Sequence, residues 1–421
     1  MEKLERYDSY KESGIEWLGE IPSHWSRTKL KSLLDIKTGK KDVNASDENG
    51  KYPFFTCASE PHKINTYTYD CEALLVAGNG IVGNTQYYNG KFDAYQRTYI
   101  LYQFRNVLSV SFIKHYIQGL LKTHLADKSN GSVIDFIKVG DLRDFIVSLP
   151  PLEEQQKIAQ YLDTKTQAMD SVISKKQQLV EKLKLAKQAL ITETVTKGLD
   201  PTVPMKDSGV EWIGEIPEHW EISKFKYEVK IDPSKSDVAK LPKDTEVSFT
   251  PMEKLRHGKL DGSVTKLLGD VYNGYTYIRD GDIAMAKVTP CYENYNIAIA
   301  NDLKNGIAFG SSEILVLRSI GNIDTRMVYY YMQHFNVRGL MISTMTGAAG
   351  LKRISNKVLM DIPILIQDKK EQTKIVDYLD KKVSEFDQLI KLEEQSIEKL
   401  KLTKQKLITE VVTGKINVQN L

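Results

Sequence analysis

The sequence predicts an α+β chain. Two globular α/β regions are joined by two long helices that pair as an antiparallel coiled coil, and the halves are related by a pseudo-two-fold axis. Three observations predict it. A tryptophan-rich block occurs twice, and two glycine-free, helix-forming segments of about 42 residues follow the same repeat. Between them lie stretches about one domain long that mix strand-like and helix-like runs.

The repeat is explicit. Residues 13–25 read SGIEWLGEIPSHW, and residues 208–220 read SGVEWIGEIPEHW, 195 positions later, with ten of thirteen residues identical. All four tryptophans (Trp17, Trp25, Trp212 and Trp220) fall inside these blocks. Residues 154–163, EQQKIAQYLD, recur as EQTKIVDYLD at 371–380, and LITETVT at 190–196 recurs as LITEVVT at 407–413, both 217 positions later. The 22-residue change of offset must be taken up between Trp25 and Glu154. The halves therefore keep a common framework around different middles, as expected where the framework docks pseudo-symmetrically and the middles recognise two different things. This divides the chain into a framework segment (1–25), a first globular region (26–153) and a first long helix (154–197). A linker with the repeated block (198–220), a second globular region (221–370), a second long helix (371–414) and a tail (415–421) follow.

From Gln155 to Thr196 there is no Gly or Pro, and apolar residues step by four and three. The predicted seam runs through Ile158, Leu162, Met169, Val172, Leu179, Leu183 and Leu190, with Lys165, Lys176 and Ala186 at the intervening positions. In the second helix it runs through Ile375, Leu379, Phe386, Leu389, Leu400 and Leu407 and is weaker, although Ile390 and Ile397 widen its apolar face. Pro150-Pro151 before Glu153-Glu154 marks one start, and Asp368-x-x-Glu371 fits a capping box at the other. Gly198 and Gly414 follow the last turns. A helix of roughly 63 Å needs a partner. Periodicity alone allows pairing between chains; the duplication favours pairing within one.

The globular regions read as twisted, largely antiparallel sheets with short helices. Strand-like runs are Ala73–Ala77, Thr98–Tyr102, Gly281–Ala286 and Glu313–Leu317; Ser111–Lys122 and Arg326–Val337 read as short helices. Polar and aromatic residues gather near glycine turns. In the first region they are Asn79, Asn84, Gln86, Tyr87 and Arg97, then a Gly/Ser loop with Lys128, Asn130 and Ser132. In the second they are Lys287, Thr289, Glu293, Asn294, Ser311 and Ser312, then Lys352 and Arg353 after a Gly-rich loop. Asn, Gln and Arg make bidentate contacts to base edges, while Lys, Ser and backbone N–H groups hold phosphates. The same residues also suit ordinary solvated loops.

Composition narrows the function. With 58 Lys+Arg against 55 Asp+Glu the net charge is only +3, so any DNA-binding charge must be local. Cys57, Cys71 and Cys291 form no C-x-x-C pair and are expected to be reduced thiols in a cytoplasmic protein. The charged start Met1–Arg6 does not resemble a signal peptide, and no run of about 18 apolar residues suggests a membrane span. There is no G-x-x-x-x-G-K-[ST] loop, no Asn/Asp-Pro-Pro-aromatic tetrad, no G-x-S-x-G and no H-E-x-x-H. His24 and His219 occupy matching block positions and read as structural. His62, His115, His124, His257 and His334 show no metal-ligand spacing. No catalytic residue and no metal site is proposed by these patterns.

The S-G-[IV]-E-W-[LI]-G-E-I-P-x-H-W block resembles the start of each half of type I restriction–modification specificity subunits. So does Leu149-Pro150-Pro151-Leu152-Glu153-Glu154-Gln155-Gln156-Lys157-Ile158, leading into a long helix that ends Leu190-Ile191-Thr192-Glu193. The stretch from Gly281 to Pro290, with Glu293-Asn294 and Gly306–Glu313, is similar to a target recognition domain of that family; Ala77–Gly80 with Arg97–Tyr99 resembles another subtype. The resemblance implies two target recognition domains, each reading half of a bipartite, asymmetric double-stranded DNA site. It implies framework helices that measure the spacer and dock two methyltransferase subunits, with motor/nuclease subunits joining them. S-adenosylmethionine, ATP and Mg would belong to those partners, leaving no cofactor in this chain. Ile366-Gln367-Asp368-Lys369-Lys370 departs from the Pro-Pro-Leu-Glu start of the first helix, which questions perfect pseudo-symmetry. The alternative reading is a coiled-coil scaffold whose globular ends bind proteins.

Overall fold

The computed structural model describes residues 5–80, 83–128, 136–348 and 350–420. The described residues form two compact units, unit 1 from those within 1–177 and 394–421 and unit 2 from those within 178–393.

Unit 1 is built on a six-stranded sheet. Its order is Asp35–Thr38, Thr98–Tyr102, Tyr69–Ala77, Thr85–Ala94, Tyr52–Phe55 and His62–Ile64. All pairings are antiparallel except Tyr52–Phe55 with Thr85–Ala94. Residues 73–77 read as a continuous apolar run because both faces are covered. Leu74 and Val76 enter the main core, while Ala73 and Leu75 enter a second cluster with Phe55 and Phe92. The helix Val110–Lys128 buries Phe112, Ile113, Tyr116, Ile117, Leu120 and Leu121, a helical stripe facing that main core.

Unit 2 differs in its middle. It holds two four-stranded sheets. One is ordered Val229–Ile231, Ile314–Ser319, Ile283–Ala286, Ile297–Ile299; the other Thr265–Leu267, Glu246–Thr250, Ile307–Gly310, Thr276–Arg279. Alternation again splits the strands between clusters, with Ile283, Met285, Leu315 and Leu317 on one side and Ala284, Ala286, Ile314 and Val316 on the other.

The predicted short helix over 326–337 is two helices, Thr325–Tyr331 and Phe335–Ser343. The break falls at His334, whose Nδ1 accepts the Asn336 N–H at 3.2 Å and caps the second helix. His334 is only 1% exposed, and burial pulls its pKa down to about 4. A free histidine titrates near 6.5, so between these values the unfolded chain binds a proton that the folded chain refuses. Stability of unit 2 should therefore fall as pH drops from about 6.5 towards 4, by up to about 3 kcal/mol. Melting curves at pH 7 and 5 check this: His334→Asn keeps a capping acceptor and should show a smaller pH-dependent loss than wild type. An equal loss would assign the dependence to other groups.

The framework is the same in both units. A ribbon Tyr10–Glu12/Glu20–Pro22 in unit 1 corresponds to Met205–Asp207/Glu215–Pro217 in unit 2. Ser26–Lys29 pairs with Ile146–Leu149, which feeds the helix Leu152–Lys197; Glu221–Lys224 pairs with Pro363–Ile366, which feeds the helix Lys369–Val412. Trp25 and Trp220 are fully buried. His24 Nε2 lies 2.9 Å from a Glu154 carboxylate oxygen, and His219 Nε2 lies 2.9 Å from one of Glu371. Gln155 accepts the Ser109 N–H and Gln372 the Asp324 N–H, so each helix start holds the loop before the helix packed beside it. Asp163 takes Ser111 and His115 as partners, and Asp380 takes Arg326 and Tyr330. The Asp368 side chain accepts the N–H groups of Lys370 and Glu371, so the departing sequence at the second helix start still supplies a cap.

In each unit the beginning of one long helix packs on the end of the other. In unit 1, Ile158 and Leu162 share a core with Ile408, Val411 and Val412, and Asp170 pairs with Lys404. Advancing along the first helix from 162 to 170 retreats along the second from 412 to 404, so the pairing is antiparallel. Unit 2 repeats it with Ile375 and Leu379 against Ile191 and Val195, and Asp387 with Lys187. The two ion pairs use equivalent repeat positions.

The seam itself is displaced from the heptad reading. Val172, Leu179 and Leu389 are exposed, whereas Ile173, Val180, Ile390 and Ile397 are buried. Ile158, Leu162, Ile375 and Leu379 are buried at the positions read from sequence, and Met169, Leu183, Leu190, Phe386, Leu400 and Leu407 are half-buried. A helix of 3.6 residues per turn drifts by about 20° per heptad against a 3.5-residue repeat. At Leu162 and Leu379 the row takes a further step of four, to Thr166 and Val383, in place of the step of three to Lys165 and Lys382, and so moves on by one residue.

Candidate nucleic-acid interface

In unit 1 the polar residues near the glycine turns converge from several loops. The Gly78 N–H donates to the Arg97 carbonyl at 3.0 Å. A Cβ at Gly78 would lie 2.5 Å from that oxygen, so only glycine lets these segments touch. The amides of Asn84 and Gln86 both donate to the Ala58 carbonyl, at 3.5 and 3.1 Å, and the Cys57 thiol donates to the Arg97 carbonyl at 3.4 Å. Asn79 bridges to Phe136, which is 57% exposed. Gly78, Gln96, Arg97, Tyr99, Phe136 and Ile137 line an open cavity of about 350 Å³. Arg97 is exposed, and among the described residues it forms no ion pair, so its guanidinium is free for an acceptor from outside.

Tyr87 does not join this set. Side chains alternate along the strand, so Tyr87 faces away from Gln86; its hydroxyl donates to Glu72 at 2.9 Å beside Ser111, Lys114 and Asp163. Lys128 ends its helix with a side chain outside the described set, and Asn130 and Ser132 lie outside the described residues.

In unit 2 four of the eight singled-out residues, Lys287, Thr289, Lys352 and Arg353, meet at one ribbon. Thr346–Ala348 pairs with Leu351–Arg353, and this ribbon is stitched onto the segment after Ile283–Ala286. The Thr289 N–H donates to the Lys352 carbonyl at 3.0 Å, the Thr289 hydroxyl donates to the Gly350 carbonyl at 2.7 Å, and the Lys352 N–H donates to that hydroxyl at 2.9 Å. The Ile354 N–H donates to the Lys287 carbonyl. Arg353 is held side-on by Glu313, Nε to Oε2 at 3.0 Å and Nη2 to Oε1 at 2.7 Å. The same guanidinium keeps the Glu313 carboxyl below its usual pKa. The Ser311 hydroxyl accepts the Glu313 N–H, and Ser312 is exposed beside it. Glu293 and Asn294 are exposed on a neighbouring turn, where the Glu293 carbonyl accepts from Arg338.

Sequence reasoning did not single out Ala58, Phe136 or Glu313 as site residues. Ala58 acts through its carbonyl, which no residue type announces. Phe136 reads as core until its exposure is known, and Glu313 reads as the start of a strand. Among the described residues there is no group of three His, Cys, Asp or Glu side chains placed to hold a metal, and no helix is long and apolar enough to cross a membrane.

One framework built twice and carrying two different polar, loop-built faces defines a duplicated recognition protein. The family model for the type I restriction modification DNA specificity domain matches residues 22–182 and 268–402. The chain is similar to the specificity subunit of the type I restriction enzyme EcoDI of Escherichia coli, 27% identical over 95% of this chain and 90% of that protein. It is also 24% identical to the MjaVIII specificity subunit of Methanocaldococcus jannaschii, over 98% of both chains. A solved chain, described in connection with complex assembly and conformational transition of the type I restriction–modification system, superposes with a TM-score of 0.66 at 15% identity. It covers 93% of this chain and 98% of its own, a likeness of fold. The chain belongs to the family of type I restriction–modification DNA specificity subunits.

Proposed function

We propose that each globular region reads one half of a bipartite, asymmetric double-stranded DNA site, while the long helices set the unread spacer and dock two methyltransferase subunits. The observation that carries this reading is the contrast between a repeated frame and unlike faces. The Asp170–Lys404 and Asp387–Lys187 pairs occupy equivalent places, but one middle is a six-stranded sheet and the other two four-stranded sheets. Two different faces on one frame suit two different half-sites.

Exposed apolar side chains on the helices support the docking of two like subunits. Val172 and Leu389 are equivalent in the repeat, as are Leu185 and Leu402, and all four are at least 43% exposed. The same apolar positions presented twice suit two copies of one partner. In this reading the chain catalyses nothing and works in the cytoplasm. S-adenosylmethionine serves the methyltransferase subunits, and ATP and Mg serve restriction subunits that join them.

Co-expression with a type I methyltransferase subunit, followed by genome-wide mapping of methylation, tests the assignment. One bipartite motif that disappears when this chain is omitted is expected. No motif, or a motif indifferent to this chain, would point instead to a protein-binding scaffold. A further expected result concerns length. Matched four-residue insertions within 175–185 and 392–402 lengthen both helices by about 6 Å. That should add roughly two base pairs to the spacer at 3.4 Å each and leave both half-sites unchanged. Altered half-sites would refute the measuring role.

A further inference from the structure

The ribbon of Thr346–Ala348 and Leu351–Arg353 presents its second strand to solvent, with Leu351, Lys352 and Arg353 all exposed. A two-stranded ribbon fits the major groove of B-DNA. On it, Arg353 is half exposed (53% of its side chain) yet fixed, because Glu313, 31% exposed, grips the Nε/Nη2 edge. A guanidinium has five N–H donors in a rigid plane. The side-on grip uses one from Nε and one from Nη2, leaving the end-on Nη1/Nη2 edge unspent and aimed by the carboxylate behind it.

We infer that Arg353 reads a guanine through that end-on edge, Nη1 and Nη2 donating to O6 and N7, and that Glu313 is its positioning residue. The inference rests on the DNA-reading assignment above. The acceptor is a base edge and not a phosphate for an electrostatic reason. A carboxylate 2.7 Å away cancels most of the guanidinium's field and would repel a phosphate, whereas the neutral guanine edge needs only two well-placed donors. Holding the fork in advance also lowers the entropy lost on contact. Arg97 in the other unit has no such carboxylate among the described residues, so the two arginines are not equivalent.

The test compares wild type, Arg353→Lys and Glu313→Gln, each assembled with the methyltransferase subunit. Methylation motifs are mapped, and binding is measured on duplexes in which each guanine of the wild-type motif is replaced in turn by 7-deazaguanine, which lacks the N7 acceptor. The expected result is that Arg353→Lys loses roughly ten- to a hundred-fold discrimination at one G·C pair of one half-site. Glu313→Gln should relax the same pair to a smaller degree, and 7-deazaguanine there should weaken wild type but not Arg353→Lys. The other half-site should be unaffected. Weaker binding to all sequences with an unchanged motif and a shallower salt dependence would make Arg353 a phosphate contact and overturn the proposal. An unchanged motif with unchanged binding would overturn it too. If Arg353→Lys fails to fold, Glu313→Gln and the 7-deazaguanine series on wild type still decide. Wild type without any motif would remove the DNA-reading assignment itself, a distinct failure.

Discussion

Trp25→Ala is expected to destabilise unit 1 by about 3–5 kcal/mol, the usual cost of removing a fully buried aromatic ring. Trp25 has no exposed surface, meets Tyr7 edge-on at 5.9 Å, and its indole N–H donates to Glu154 at 3.0 Å. It also closes on Gly414 at the end of the second long helix, where a Cβ would come within 3.1 Å of the ring. The change thus opens a cavity where the repeated block, the start of one helix and the end of the other meet. Trp220→Ala should cost unit 2 a similar amount. Phenylalanine separates the polar contribution. Trp220 Nε1 is buried without an acceptor among the described residues, so Trp220→Phe removes an unsatisfied donor. Trp25→Phe takes a donor from Glu154, which keeps Tyr7 and His24 as partners. Scanning calorimetry should show the larger loss for Trp25→Phe; the reverse order would mean that the hydrogen bond contributes nothing net.

Asp282→Ala should cost unit 2 about 3–5 kcal/mol, because it breaks a buried ion pair by removing one partner. Asp282 is fully buried and accepts from Arg318 twice, Nε to Oδ1 and Nη2 to Oδ2, both at 2.7 Å; it also accepts the Arg279 N–H. Among carboxylates of the described residues Arg318 would retain Asp237, at 3.2 Å and half exposed, and its guanidinium would still lie over the Tyr277 ring at 5.4 Å. A double change to Asp282→Ala with Arg318→Met should recover part of the loss, since an apolar replacement of both partners leaves no stranded charge. Urea unfolding of the single and double variants measures this; a double variant no better than the single one would show that shape, not charge, dominates here. Asp282 immediately precedes the strand Ile283–Ala286 that runs into Lys287 and Thr289, so on the proposed function the DNA binding of this region should fail together with stability.

The parts of the molecule legible in sequence are those fixed by short-range patterns that occur twice. The tryptophan blocks, the long helices, their caps at Pro150-Pro151 and Asp368, and the structural pairing of His24 and His219 with the frame follow from residue type and spacing. What sequence leaves open depends on accumulated geometry. The seam goes from Val172 to Ile173 and from Leu389 to Ile390 because the inward row has already taken an extra step of four at Thr166 and Val383, which the heptad pattern does not mark. Tyr87 and Gln86 part company because a strand turns neighbours to opposite faces, and the strand's exact extent decides which face is which. Glu313 becomes a partner of Arg353 across 40 residues, and Ala58 acts through its backbone. Neither relation leaves a local signal.

The way the long helices are shared between units has a consequence for synthesis. Unit 2 is a single stretch, 178–393, whereas unit 1 needs residues 394–421 to complete a core begun before residue 177. Ile408, Val411, Val412, Ile416 and Val418 sit in that core beside Trp25 and Leu162. As the chain leaves the ribosome, the domain made first must wait with an open apolar flank until the one made second has emerged in full. The core of unit 1 can therefore close only after unit 2 has been made, and the waiting flank is where a chaperone or a misassembled neighbour would find this protein.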